Sequence, residues 1–238
     1  EEVGDRAAAE RHLREALRLL EHRAPGPEEV ALRNDLGQLA LARGALEEAE
    51  SQLLLALKLA SRHAEAAEEV LTLAALGDVA TRRGDPVAAV ARLDVALAIL
   101  GEGWLPLERA TRVYAAGVRT LLLAHDYERA RAWSGAALVL CRENGLVGLD
   151  ALFHAYIAAI DVATASPGDP LAAALGAVDE LRRTERGELR EALRVLGFVH
   201  RVRGDLGPAR RAYEEAIAMG AQDARSSLAL VDLDGIDA

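Results

Sequence analysis

Apolar positions recur along this chain with the step of a helix, and the whole pattern then recurs at a longer interval. After Gly4 the apolar places are Ala9, Leu13, Ala16, Leu17 and Leu20; after Gly44 they are Ala49, Leu53, Ala56, Leu57 and Ala60; after Gly84 they are Ala89, Leu93, Ala96, Leu97 and Leu100. Steps of four, three, one and three trace one stripe on a helix, so each of these helices offers the same face to its neighbours. Six Gly-Asp-like turns set the frame: Gly4-Asp5, Gly44-Ala45, Gly84-Asp85, His125-Asp126, Gly168-Asp169 and Gly204-Asp205. Each is followed five residues later by Ala, and five of them twelve residues later by a second Ala, Glu180 being the exception. Successive turns lie 40, 40, 41, 43 and 36 residues apart. Self-similarity at that period denotes stacked helix pairs rather than one closed globule.

The pattern predicts helices over 5–22, 27–43, 46–62, 65–83, 86–100, 106–124, 127–143, 148–165, 170–184, 187–203 and 206–219, and a last one over 221–232. The helix before a turn carries its own mark. Leu36-Gly37, Leu76-Gly77 and Leu196-Gly197 fall at one register, placing a residue without a side chain where two helices cross closely. In the turn, Gly accepts a positive φ at the end of the first helix and the following Asp is placed to cap the second.

These residues resemble the tetratricopeptide repeat, a helix-turn-helix unit that stacks into a right-handed superhelix. Leu196, Gly197, Gly204, Asp205, Leu206, Ala209, Tyr213 and Ala216 carry the resemblance most fully, and it extends over nearly the whole chain. The period near 40 is longer than the family's usual 34, as in extended variants such as those of kinesin light chain and several bacterial regulators. The resemblance implies an all-α, right-handed superhelical solenoid of antiparallel helix pairs. Its parts are a half repeat over 1–26, repeats over 27–64, 65–105, 106–147, 148–186 and 187–220, and a terminal helix within 221–238. The fourth full unit departs from the pattern, with Ile160, Asp161 and Thr164 at the small and Leu-Gly positions. A chain that opens at mid-repeat is expected to be a segment of a longer protein.

Composition agrees with a helical array: the 238 residues are 51% hydrophobic and only 3% aromatic, so Ala, Leu and Val must fill the core. A net charge of -10 speaks against a nucleic-acid surface, which needs clustered basic groups. No apolar run is long enough to span a bilayer and no leader opens the chain, so a cytoplasmic location is the expectation. The single cysteine, Cys141, occupies the place of Ala60 and Leu100 and reads as a small core residue.

No catalytic constellation emerges, and the expectation is a non-enzymatic chain without cofactor or metal. The six histidines are dispersed, and none forms the His-x-x-x-His spacing of a metal site. Gly101-Glu102-Gly103 lacks the third glycine of a phosphate loop. Asp232, Asp234 and Asp237 around Gly235 lack the closing Glu of a calcium loop. Trp104, in the Gly101–Leu107 connection, reads as an interface anchor or, better for a loop of this length, as a plug beneath it.

What remains is the trough that the family's first helices line. Carried over by register, its contact positions are Asn34 and Gln38, then Asp78 and Thr81, then Arg112 and Arg119, and last Arg194, Phe198 and Arg201. The fourth unit contributes Ala155, Ala158, Val162 and Ala165. Such a surface would suit a protein or extended peptide with an acidic end, since guanidinium groups fork onto carboxylates. Alternatively, these Arg and Asp side chains pair with one another or with solvent. The family's carboxylate clamp is absent, because Ala75 and Ala116 stand where Asn and a basic residue would be needed. Three readings follow: a protein- or peptide-binding scaffold forming the interaction arm of a larger bacterial signalling or regulatory protein, a small-ligand or peptide sensor of an ATP-dependent transcription regulator, and a self-association module working through terminal repeats.

Overall fold

The computed structural model describes residues 2–20, 26–100, 107–146, 148–184, 187–220 and 231, and all regular structure among them is helical. Trp104, the Gly101-Glu102-Gly103 run, the expected helix over 221–232 apart from the buried Val231, and the acidic positions 232–237 lie outside the described residues. The chain divides into two compact units, Glu1–Ala124 and His125–Ala238. The first holds α1 (Glu2–Leu20), α2 (Pro27–Ala42), α3 (Leu46–His63), α4 (Ala66–Arg82), α5 (Pro86–Leu100) and α6 (Leu107–Leu123). The second holds α7 (Tyr127–Glu143), α8 (Leu149–Ala163), α9 (Pro170–Arg183), α10 (Leu189–Val202) and α11 (Leu206–Ala218). Pairs α2–α3 and α4–α5 in the first unit, and α8–α9 and α10–α11 in the second, are antiparallel neighbours in sequence and in space.

The predicted stripe is what packs. Ala49, Leu53, Ala56 and Ala60 on α3, and Ala89, Leu93 and Ala96 on α5, are without solvent contact. At roughly 1.5–3 kcal/mol for each large aliphatic side chain fully buried, these contacts hold the pairs together. The Leu-Gly mark has a steric cause. A Cβ on Gly37 would lie 2.6 Å from Leu53 Cγ, one on Gly77 3.1 Å from Leu93 Cγ, and one on Gly197 2.6 Å from Tyr213 Cε1. Large rings are absent from the α2–α5 core but not from the second unit, where Phe153, Tyr156 and Tyr213 are fully buried. Cys141 is buried too, as its register requires.

The turn between first and second helix closes in one way at Gly44, Gly84 and Gly204. Gly44, Gly84 and Gly204 have φ of 80°, 76° and 83°, and the next residue's N–H donates back to the carbonyl five positions earlier, at 2.9–3.0 Å. Asp85, Asp126 and Asp169 then cap the second helix by accepting from the backbone N–H three residues on. Asp205 does not; its carboxylate lies instead 3.3 Å from Arg203 Nε and 3.5 Å from His200 Nδ1. Arg129 also donates its side chain to Asp126, at 2.6 Å, and holds that carboxyl below its ordinary pKa.

One expected turn is displaced. In the fourth unit the left-handed residue that closes the first helix is Ala165 (φ 50°), and Ser166 N–H bonds the Asp161 carbonyl at 2.9 Å, as Ala45 bonds Ala40. Ser166, Pro167 and Gly168 are therefore extra loop residues, and the second helix packs one position later than expected. Ala174, Val178 and Leu181 are buried there, while Ala173 is exposed and Glu180 partly so. The missing second Ala is thus a shift of frame: Leu181 fills its place. Counted from the residues that make the turn, Gly44, Gly84, His125, Ala165 and Gly204 follow one another at 40, 41, 40 and 39 residues, a more even period than 43 and 36 suggested.

Candidate functional site

Successive first helices touch one another directly within each unit: α2 with α4, α4 with α6, and α8 with α10. Side chains about one period apart therefore meet across them. In the first unit, Asn34 Nδ2 donates to Glu68 Oε2 (2.8 Å) and Asn34 Oδ1 accepts from Thr72 Oγ1 (2.7 Å). Asn34 is buried and engaged in this bridge, so its amide ties α2 to α4. Farther along, Arg119 Nη2 donates to Asp78 Oδ1 at 2.8 Å, and Thr81 and Thr120 hydroxyls lie 3.0 Å apart. Arg82, which the register carried over from the family does not include, stands 3.4 Å from Asp78 Oδ2 and donates to the Leu41 carbonyl at 2.9 Å.

The first unit thus presents two guanidinium groups around one carboxylate, with side chains 17–28% exposed, and an exposed Arg112 two helical turns before Arg119. Pairs this far from bulk water hold direction better than a fully solvated pair, while desolvation offsets much of their attraction. The sequence alternative of mutual Arg–Asp pairing is realised at Asp78 and Arg119. Gln38 sits at the same register, six residues before its turn, but is exposed on the wall of a cleft between α1 and α2. That cleft, about 670 Å³, is lined mainly by Ala9, Leu13, Ala16 and Leu39, with His12, Asp35 and Gln38 at its polar points.

In the second unit the partners differ. Arg194 donates to both oxygens of Glu191, at 2.9 and 2.6 Å, and Glu191 Oε1 also accepts from the hydroxyl of the buried Tyr156 at 2.8 Å. Phe198 and Arg201 follow on the partly exposed side of α10. The displaced turn also corrects the fourth unit's contribution. Ala165 lies in the turn, outside α8, so it lines no helix face; Ala155 and Ala158 are buried, and Val162 is partly exposed. The register places become Leu152, Ala155, Ala159 and Val162.

Sequence reasoning passed over Glu68, Thr72, Thr120, Tyr156 and Glu191. Their only signal was separation: the bonded pairs Asn34–Glu68, Thr72–Asn34, Thr81–Thr120 and Tyr156–Glu191 lie 34, 38, 39 and 35 residues apart, close to the period. Among the described residues, no group of three His, Cys, Asp or Glu side chains is placed to hold a metal, and no helix is long and apolar enough to cross a membrane.

No family model matches the sequence, and no curated protein matches it either. Solved structures do match. NprR in complex with its cognate peptide NprX superposes with a TM-score of 0.64 at 14% identity, over 98% of this chain and 70% of that one. BtubC (BKLC) from P. vanneervenii gives 0.63 at 21% identity, over 91% and 89%. A Podosopora anserina putative kinesin light chain with nearly identical TPR-like repeats gives 0.57 at 15% identity, over 84% and 99%. At such identities the likeness speaks for fold alone. Helices paired in sequence, closed by left-handed turns about 40 residues apart and matched to these repeat proteins, give this chain the tetratricopeptide-like fold.

Proposed function

We propose that this chain is a non-enzymatic binding module that captures an extended protein or peptide segment on the faces formed by its first helices. One observation carries the reading: α2, α4 and α6 are bonded side by side through Asn34–Glu68, Asp78–Arg119 and Thr81–Thr120, which holds a row of polar groups at fixed spacing. Such a row suits a ligand with a repeating backbone and an acidic group, which guanidinium groups such as those of Arg82 and Arg119 bind as forked donors. That NprR, of similar fold, was solved with a cognate peptide supports the ligand class. The interaction arm of a larger bacterial signalling or regulatory protein is the setting this fits.

The test is recovery of partners from lysate by the wild-type chain and by an Arg112/Arg119/Arg194/Arg201→Ala variant, with melting curves confirming that the variant folds. Selective loss of a partner supports the reading; equal recovery removes it. A second reading, a sensor of a small apolar ligand, rests on the α1–α2 cleft, whose volume falls in the range of ligand pockets. Thermal stabilisation by a metabolite that disappears on Leu13→Gln would favour it.

A further inference from the structure

We propose that the groove between α1 and α2 is a docking site for an amphipathic helix of a partner protein, one that carries a glycine over Leu13 and a hydrogen-bond donor three residues before it. This surface lies apart from the first-helix trough, and the repeat itself shows what covers it. Ala9, Leu13 and Ala16 on α1 stand 40 residues before Ala49, Leu53 and Ala56 on α3, which have no solvent contact. In α1 the same stripe is open: Ala9 is exposed, and Leu13 and Ala16 are partly so. The other wall behaves likewise. Leu32, Asp35 and Leu39 on α2 are exposed or partly exposed, whereas Thr72, Ala75 and Val79, 40 residues on in α4, are buried. One helix covers both sets: α2 lies against α3 and α4 together, sharing a core with Ala49, Leu53, Ala75 and Val79 and a hydrogen bond with Thr72.

The groove therefore has walls matched to a helix like α2, and their chemistry sets its register. Leu53 meets Gly37, where a Cβ would lie 2.6 Å from Leu53 Cγ, so Leu13 requires glycine at the facing place. Three residues earlier Asn34 donates to Glu68 at 2.8 Å; Glu28 is the counterpart of Glu68, so the partner helix offers Asn, Lys or Arg there. Two adjoining cavities of about 670 and 520 Å³ share Ala16 and run from Ala9 to Leu20. At 1.5 Å per residue that is roughly 16 Å, three turns of a helix. Ion pairs Arg14–Glu48 (2.8 Å) and Arg43–Glu10 (2.5 Å) brace α1 against α3 and the α2–α3 turn, which preorganises the walls. A second copy has no such helix to give: Gly37, Gly77 and Gly197 already lie against Leu53, Leu93 and Tyr213.

Fluorescence anisotropy of a labelled, end-capped peptide with the sequence of residues 27–43, titrated with the full 238-residue chain, tests this. An isolated peptide of that length is barely helical, so a Kd on the order of 100 µM is expected. Gly37→Leu in the peptide should weaken binding at least tenfold although leucine is the better helix former, and it leaves the protein untouched. In the protein, Ala9→Glu/Leu13→Glu should abolish binding, with circular dichroism checking that the fold survives. No binding up to about 1 mM, equal binding of the Gly37→Leu peptide, or binding that survives Ala9→Glu/Leu13→Glu would each overturn the proposal. Stabilisation seen only when the peptide is fused ahead of Glu1 would overturn it in favour of a helix of the same polypeptide. Concentration-dependent sedimentation of the wild-type chain that Ala9→Glu/Leu13→Glu removes would overturn it in favour of a second copy.

Discussion

Gly197→Ala tests whether the Leu-Gly mark is a packing requirement. The new Cβ would lie 2.6–2.8 Å from three ring atoms of Tyr213, a side chain 1% exposed, so the ring has no solvent to retreat into. Overpacking of this kind costs about 1–3 kcal/mol, and a flat ring enclosed by core belongs at the upper end. Alanine's better helix propensity returns about 1 kcal/mol, leaving a net loss of about 2 kcal/mol. For a unit of this size that lowers Tm by roughly 5–10 °C, measured by circular dichroism at 222 nm. Gly176→Ala in α9 is the control, because nothing lies within 4 Å of its Cβ position; there propensity acts alone and stability rises by about 0.5–1 kcal/mol. Adding Tyr213→Val to Gly197→Ala should give a double variant at least about 1 kcal/mol more stable than the two single changes sum to. The fourth unit already pairs Ala158 with Val178 at these register places, both 1% exposed. Equal melting of Gly197→Ala and Gly176→Ala would refute the steric account.

Ala49→Arg puts a charge where exposure is 0%, and should lower stability by more than about 3 kcal/mol in urea unfolding, or abolish folding. Asn34→Ala removes the amide's hydrogen bonds to Glu68 and Thr72 and should cost about 1–3 kcal/mol; if partner binding fell while stability held, its assignment as an α2–α4 tie would be wrong. Asp126→Ala removes a helix cap and should cost about 1 kcal/mol at pH 7. Because Arg129 depresses the Asp126 pKa in the folded state, its contribution is present above the unfolded value near 3.9 and fades as pH falls through the folded one. The gap between the urea midpoints of wild type and variant should therefore narrow as pH falls below the ordinary aspartate value of about 3.9, and a gap that does not narrow on acidification would count against the charge-assisted cap.

Much of the fold was legible from local chemistry. A stripe at helical spacing, a glycine able to take positive φ and an Asp able to cap the next helix are properties of short segments, and Gly44, Gly84 and Gly204 act where the pattern placed them. The fourth turn was not legible, since Gly168-Asp169 resembles the others while Ala165 accepts the left-handed conformation without any sequence sign. The candidate site was legible only as register positions. Asp78 and Arg119 are 41 residues apart, and their separation in sequence could not distinguish a bonded pair from two groups facing a ligand.

What the sequence by itself determined is the helix, its apolar stripe and its repeat, because these depend on side-chain spacing along one segment. Which alanine enters the core after an altered loop, which guanidinium meets which carboxylate, and which apolar stripe stays open were decided only by tertiary structure. Those outcomes depend on where a second helix lies, a distance that no single segment encodes.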